Sequence, residues 1–483
     1  MLTLGIYEAI KMALDKLPYA EGASWDPNLT CLPGTRKTVL TAIQAWSRSL
    51  DSQIVFLLEG VLGSGKTAIA HTIAQLLHQK GVLVSTFFFN RNIASRNTPQ
   101  MLFTTISRDI AKRYPAIAAD ISKVLDDEPA LASAPLSRQF EMLIAGPLSR
   151  HSIDEPFIVV IDALDESSGA GIDADLLYIL SSKLASLPSR FRIFITSRPT
   201  SSIRQSLMGS NLVHWLSLNI NSDENRIDIA AYVDAKLQEK TVSSKLGPAG
   251  LDGILTRNLK LMAEGLFIWI ATVFGYLSRA YSPKAKLIAL LSNSAPQGLM
   301  DANKKMDVLY TAILDDCGAW DDPDFIKDYQ LVMGAIMAAK RPLSLAALRA
   351  ICEDIKETSP QHLLERFGSV LVGFHNETDP IRILHLSFRE FVTDRAAANP
   401  GTHKFLVPEK EHSRRLAALC LKAVAHELAD APILYGLGYL DKGHDDPPGI
   451  PKIHGLSERL LYGFESLTDH LADVDEPNAS TDV

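Results

Sequence analysis

The octapeptide Gly60-Val61-Leu62-Gly63-Ser64-Gly65-Lys66-Thr67 fits the pattern G-x-x-x-x-G-K-[ST], a spacing that lets backbone N–H groups fold around a phosphate at a helix N-terminus. In such a loop Lys66 reaches the β- and γ-phosphates and the Thr67 hydroxyl is a ligand for Mg2+, while Gly60, Gly63, Ser64, Gly65 and Ala68 form the wrap. Farther along, Phe157-Ile158-Val159-Val160-Ile161-Asp162-Ala163-Leu164-Asp165-Glu166 puts carboxylates where an apolar strand ends, the side of an open α/β sheet on which ligands bind. Asp162 is a candidate Mg2+ ligand, directly or through water. Asp165 or Glu166 is a candidate base for an attacking water, and residue type does not choose between them. A third apolar run, Phe194-Ile195-Thr196, ends in Ser197-Arg198-Pro199, which makes Arg198 a candidate sensor of the γ-phosphate. Each feature has a plainer alternative: a glycine-rich turn, a capping or turn aspartate, an arginine satisfying a helix C-terminus or a surface carboxylate. Phosphate chemistry is favoured because all three stand at the ends of apolar runs.

These residues need a parallel sheet to present them. Near-continuous apolar runs at 54–58, 82–89, 157–161 and 192–196, separated by helical patterns such as 68–79, are expected to be strands covered on both faces. From about 222 the periodicity turns helical, over 226–238, 251–278, 304–317, 325–339, 345–355 and 360–367. Two short apolar runs, 369–374 and 381–386, flank the polar turn Asn376-Glu377-Thr378-Asp379-Pro380, and after helices they suggest a winged helix. Further helices are expected at 411–428 and 457–472, with a loop at 443–451. The expected fold is therefore an α/β P-loop NTPase domain with a parallel sheet and flanking helices, then a mostly α region. Its domains are an N-terminal helix and linker (1–40), the NTPase domain (41–220), a helical domain (221–298), a winged helix (299–400), a second helical segment (401–472) and a disordered acidic tail (473–483).

Composition agrees with several folded domains, since 483 residues at roughly 150 per domain make about three. With 47% hydrophobic and 22% charged residues the chain is far from the compositions that stay disordered. A net charge of −8, with Arg349, Arg366 and Arg382 scattered, argues against a nucleic-acid surface. Cys31, Cys317, Cys352 and Cys420 form no zinc or redox pattern, which suggests a reduced, cytoplasmic chain. Residues 1–15 carry Glu8 and Lys11 and read as an amphipathic helix and not a secretory signal. The longest apolar run, 265–277, is too short to cross about 30 Å of hydrocarbon, so no membrane span is expected.

With these motifs in place, the chain resembles the NACHT-type STAND NTPases, most closely the fungal, nephrocystin-3-like proteins related to NOD-like receptors. Asp162-Ala163-Leu164-Asp165-Glu166 looks like the NACHT form of Walker B, and Thr196-Ser197-Arg198-Pro199 looks like its sensor 1. Cys31-Leu32-Pro33-Gly34-Thr35-Arg36 is similar to the segment that approaches the adenine in that superfamily, which implies a nucleotide-binding role for Arg36. Glu264-Gly265-Leu266-Phe267-Ile268-Trp269 stands where related ATPases carry a Gly-x-Pro element, without the proline. Leu384-His385-Leu386-Ser387-Phe388 resembles the winged-helix segment whose histidine binds the ADP β-phosphate, and so implies that role for His385. The segment 460–471 looks like the end of the fungal helical region.

The resemblance implies ATP or ADP with Mg2+ as ligands and a signalling switch, closed with ADP and open with ATP. Homo- or hetero-oligomers would form through the NACHT domain, in recognition or programmed cell death. An N-terminal effector and a C-terminal repeat sensor, usual in the family, are not expected in this chain. Two alternatives share the same site: a steadily turning-over ATPase or kinase, and a non-catalytic nucleotide-binding modulator of longer NACHT receptors.

Overall fold

The computed structural model describes residues 11, 14–15, 17–49, 52–91, 93–153, 155–167, 173–246, 250–293, 301–351, 360–430 and 457–475. Two compact units divide them, one within Met1–Phe274 and Ser282–Ala302, the other within Gly275–Tyr281 and Asn303–Val483.

The first unit is built on five parallel strands, β1 Val55–Glu59, β2 Leu83–Phe88, β3 Phe157–Asp162, β4 Phe191–Ser197 and β5 Val213–Ser217, in the order β2-β3-β4-β1-β5. Every residue of β1, β3 and β4 is buried, the consequence of central strands covered on both faces. Side chains alternate between two apolar layers. Val55, Leu57, Val159, Ile161, Ile193 and Ile195 join one layer, and Phe56, Leu58, Ile158, Val160 and Phe194 the other. Helices α1 Lys37–Trp46 and α2 Lys66–Gln79 close the second layer with Val39, Ile43, Ile69 and Ile73, while α3 Leu102–Arg113 closes the first with Ile106 and Ile110. The four expected strands are all present, and β5 is a fifth. Its edge position leaves His214, Trp215 and Leu216 part-exposed, so it lacks the apolar run that marks a buried strand.

After the sheet, α4 Asp223–Gln238 starts on Ser222, whose side chain accepts from the Asn225 N–H at 3.2 Å. The pattern at 251–278, expected to continue as one helix, is instead two: α5 Gly253–Met262 and α6 Phe267–Arg279. Glu264 and Gly265 break it, with φ of 46° and 81°. A Cβ at Gly265 would fall 2.1 Å from the Ile220 carbonyl oxygen, so the corner requires glycine.

The second unit is helical, with a small antiparallel ribbon. Helices α7 Ala302–Cys317 and α8 Pro323–Ala338 are followed by Leu345–Ile351 and Pro360–Arg366, then β6 Leu371–Val372 pairs with β7 Arg382–Ile383. Both strands are shorter than the runs that marked them, because Gly373 turns at φ 89° and His385, two residues after β7, already caps α9 Leu386–Thr393. Helices α10 Glu409–Asp430 and α11 Glu458–Asp475 pack along each other. Polar groups join them: Ser413 Oγ pairs with His470 Nδ1 at 2.7 Å and donates to Asp473 Oδ2 at 2.6 Å, and within α11 His470 Nε2 pairs with the Tyr462 hydroxyl at 2.7 Å. Asp473, expected to begin a disordered tail, is helical and ion-paired with Lys340 Nζ at 2.5 Å. Residues 476–483, the loop expected at 443–451, Cys352 and the rest of the helix to 355, and most of the helix expected over 1–15 lie outside the described residues. Among the described residues no helix is long and apolar enough to cross a membrane.

Candidate functional site

The loop between β1 and α2 is shaped by Gly63 and Gly65, with φ of 71° and 89°. Gly63 has no room for a side chain, because a Cβ would lie 1.9 Å from Ile268 Cγ2 at the start of α6. Four loop carbonyls are held by donors. Ile268 N–H donates to Gly63 O at 3.3 Å, Arg36 Nη2 to Ser64 O at 2.5 Å, and Lys66 Nζ to Gly60 O and Val61 O at 2.8 and 3.1 Å. Ser64 Oγ, fully buried inside the loop, has no hydrogen-bond partner among the described residues, a cost that a ligand acceptor would relieve.

Strand β4 lies between β1 and β3, so Thr196 at its carboxyl end stands beside both the loop strand and Asp162. The Thr196 hydroxyl donates to Asp162 Oδ1 and accepts from the Ala163 N–H at 3.0 Å. Ala163 takes a left-handed conformation, φ 56°, and the chain continues into a 3-10 turn over Leu164–Glu166. Burial pushes the Asp162 carboxyl up to about 6, against hydrogen bonds from Thr196 and Thr67 and the charge of Lys66. Burial likewise pushes Lys66 down to about 8, opposed by Asp165, Asp162 and Glu166 and aided by Arg198.

The two acidic residues of the turn have different surroundings. Asp165 is buried and committed: Oδ1 accepts from the Arg198 N–H at 2.9 Å and the Ser197 hydroxyl at 3.4 Å, and Oδ2 faces Arg198 Nε at 3.2 Å. Glu166, part-exposed, accepts from the Arg91 N–H at 3.3 Å. Desolvation, with the Asp165 charge beside it, pushes Glu166 up to about 7.

Arg36 joins the loop from the other side. Its backbone is left-handed, φ 58°, its N–H donates to Asp228 Oδ2 at 2.9 Å, and its guanidinium lies 4.6 Å from the Phe267 ring centroid. Burial lowers its pKa, while Asp228 raises it. Arg36, Ala163 and Glu264 are the non-glycine residues with positive φ among those described. Each flanks the loop, the Asp162 turn or the start of α6, and such conformations persist only where surrounding bonds hold them. The segment leading to Arg36 is anchored on α2, where Cys31 N–H donates to Thr72 Oγ1 at 2.8 Å and Asp26 N–H to His71 Nδ1 at 3.0 Å.

Lys66, Thr67, Asp162, Asp165, Glu166 and Arg198 thus form one charged cluster at the carboxyl ends of β1, β3 and β4, with Gly60, Gly63, Ser64, Gly65, Ala68 and Arg36 on the loop and its flanks. His385 belongs to the second unit, where it caps α9: Nδ1 accepts from the Ser387 N–H at 3.1 Å and pairs with its hydroxyl at 2.7 Å. Sequence reasoning quoted Thr196 and Phe267 only as members of longer segments, without a role, and missed Arg91 and Asp228. It also missed Glu59 at the end of β1, which Arg204 grips through Nε and Nη2 at 2.8 and 2.7 Å, holding the carboxyl below its usual range. The usable signal was a carboxylate closing an apolar strand, as at Asp162.

No curated protein matches the chain. Residues 34–198, about a third of the chain, match the family described as nephrocystin 3, N-terminal. The match starts just before Arg36 and ends on Arg198, so the segment that carries the charged cluster is similar to the N-terminal region of nephrocystin 3.

Proposed function

We propose that this chain binds ATP or ADP with Mg2+ at the loop 60–67 and works as a NACHT-type nucleotide switch that hydrolyses ATP slowly. The observation that carries this reading is the convergence of Lys66, Thr67, Asp162, Asp165, Glu166 and Arg198 around a loop with left-handed glycines. The residues fit the ligand. Ser64 Oγ is a buried hydroxyl with no partner among the described residues, and Lys66 Nζ rests on carbonyls it can exchange for phosphate oxygens. Thr67 and Asp162 would hold Mg2+, which when bound neutralises phosphate charge and polarises the phosphoryl group.

The chain's own groups then divide the work. Lys66 and the loop amides bind and orient the phosphates. Arg198, kept in place by Asp165, supplies a cation for the terminal phosphate. Glu166 is the better base: Asp165 has both oxygens engaged, whereas Glu166 is pushed up to about 7 and is part-exposed. The switch itself, contact of His385 with the ADP β-phosphate and self-association through the NTPase domain rest on the resemblance to NACHT proteins, whereas the assignment of 299–400 as a winged helix rests on its two short apolar runs after helices, and a cytoplasmic site of action on the scattered cysteines.

The test is to denature the purified chain, identify any released nucleotide by chromatography, and measure the mass of the native chain in solution. Tightly held ADP in a monomer supports the closed switch. An empty chain that turns ATP over rapidly favours a steady ATPase. A chain that binds neither ATP nor ADP overturns the reading. Lys66→Ala is expected to abolish binding, checked by titration with a fluorescent ADP.

A further inference from the structure

Strand β2 ends beside the acidic turn. Phe88 pairs with Asp162, and the Phe89 N–H donates to the Asp162 carbonyl at 3.1 Å. The chain then crosses the turn Leu164–Glu166, and Arg91 holds that turn at two points. Its N–H donates to Glu166 Oε2 at 3.3 Å, and its Nη2 donates to the Asp165 carbonyl oxygen at 2.9 Å. Arg91 is itself exposed, so it adds little to the core. Both bonds go to the one turn that carries the two acidic residues.

We propose that Arg91 is a positioning residue for Glu166, setting the orientation and the protonation of that carboxylate through the turn it grips. The proposal rests on the nucleotide-hydrolysis reading above. Opposing influences act on Glu166: burial and the Asp165 charge favour its neutral form, while the Arg198 charge and Arg91, through its backbone N–H first and its own charge second, favour the carboxylate. A base must be deprotonated to take a proton from water, so a cation that steadies its charged form sets the pH at which it works. The fixed fork of a guanidinium suits a grip on a backbone carbonyl, and a lysine would keep the charge without the fork. The side chain of Arg91 is therefore separable from its backbone N–H by substitution.

Arg91→Ala and Arg91→Lys should be compared with the unaltered chain and with Glu166→Gln. In Arg91→Ala, affinity for ATP is expected to stay unchanged while the acidic limb of the hydrolysis rate moves to higher pH. A rise of about one unit in the pKa of the base would slow hydrolysis about fivefold at neutral pH and leave it nearly unchanged above the new limb. Arg91→Lys should return the limb towards its original place. A readout independent of turnover is hydrogen exchange at the amides of residues 163–167 without nucleotide, which should quicken in Arg91→Ala. Intact ATP binding with an unmoved pH limb and unchanged exchange would remove Arg91 from this role. Failure of the unaltered chain to bind ATP would sink the underlying reading, and binding without any hydrolysis would sink the role of Glu166 and of Arg91 with it.

Discussion

Asp165 and Glu166 are neighbours with opposite duties. Asp165 is spent on Arg198 and Ser197, whereas Glu166 meets only one backbone donor among the bonds described above. Glu166→Gln is therefore expected to leave ATP bound and slow its hydrolysis on the order of a hundredfold, measured in a single turnover. Asp165→Asn should weaken the hold on Arg198 and lower stability, because one side of a largely buried ion pair loses its charge. The raised carboxyls also give a signed pH dependence. Asp162, up to about 6, and Glu166, up to about 7, bind more protons folded than unfolded. Their contribution is fully present below their ordinary values and is lost as pH rises through about 6 to 7. The double variant Asp162→Asn, Glu166→Gln should flatten that loss in urea unfolding with no nucleotide or Mg2+ present. The motif residues were legible because each ends an apolar run. Arg91 and Asp228 were not, since a lone arginine or aspartate has no spacing that announces what it will touch.

Helix α6 is tied to the loop between β1 and α2 by one hydrogen bond and one steric fit. Gly63 is left-handed and Ile268 fills the space its side chain would need. Gly63→Ala is expected to cost about 1–2 kcal/mol for the backbone conformation alone, with the clash added to it. Pairing it with Ile268→Ala should remove the 1.9 Å clash with Cγ2, leaving the conformational cost and a tight 3.0 Å contact with the Ile268 Cβ. Denaturant unfolding of the two single variants and the double variant, read as a cycle, checks this. Unequal legibility of the elements has the same physical origin. Buried strands announce themselves by apolar runs, whereas β5, at an edge, mixes His214 and Trp215. The corner at Glu264–Gly265 escaped the helical pattern of 251–278 because its cause is a distant carbonyl, that of Ile220.

On the scale of the whole molecule, each unit keeps a histidine neutral by burial. His71 in the first and His470 in the second are both pushed down to about 4, and burial also lowers His412 in the second. Their contribution is present above the ordinary value and is lost as pH falls from about 6.5 towards 4. In the second unit Asp473 adds to the loss. Burial would raise its carboxyl, yet Lys340 and Ser413 hold it below the usual range. In the first unit Asp162 and Glu166 act in the opposite sense over part of that window. Acidification is therefore expected to loosen α10 and α11 before β1 and β3, which hydrogen exchange resolved by peptide would detect. The strand order carries a separate consequence, for synthesis. Both sheet partners of β1, β4 and β5, lie more than a hundred residues downstream of it, so a nascent chain that has displayed its first strand must wait, with both edges of that strand bare, until its neighbours leave the ribosome. A fragment cut after Arg198 would make that wait permanent on one side, because β5 at Val213–Ser217 lies beyond the cut. A fragment in which both edges of β1 are paired therefore has to extend past Ser217.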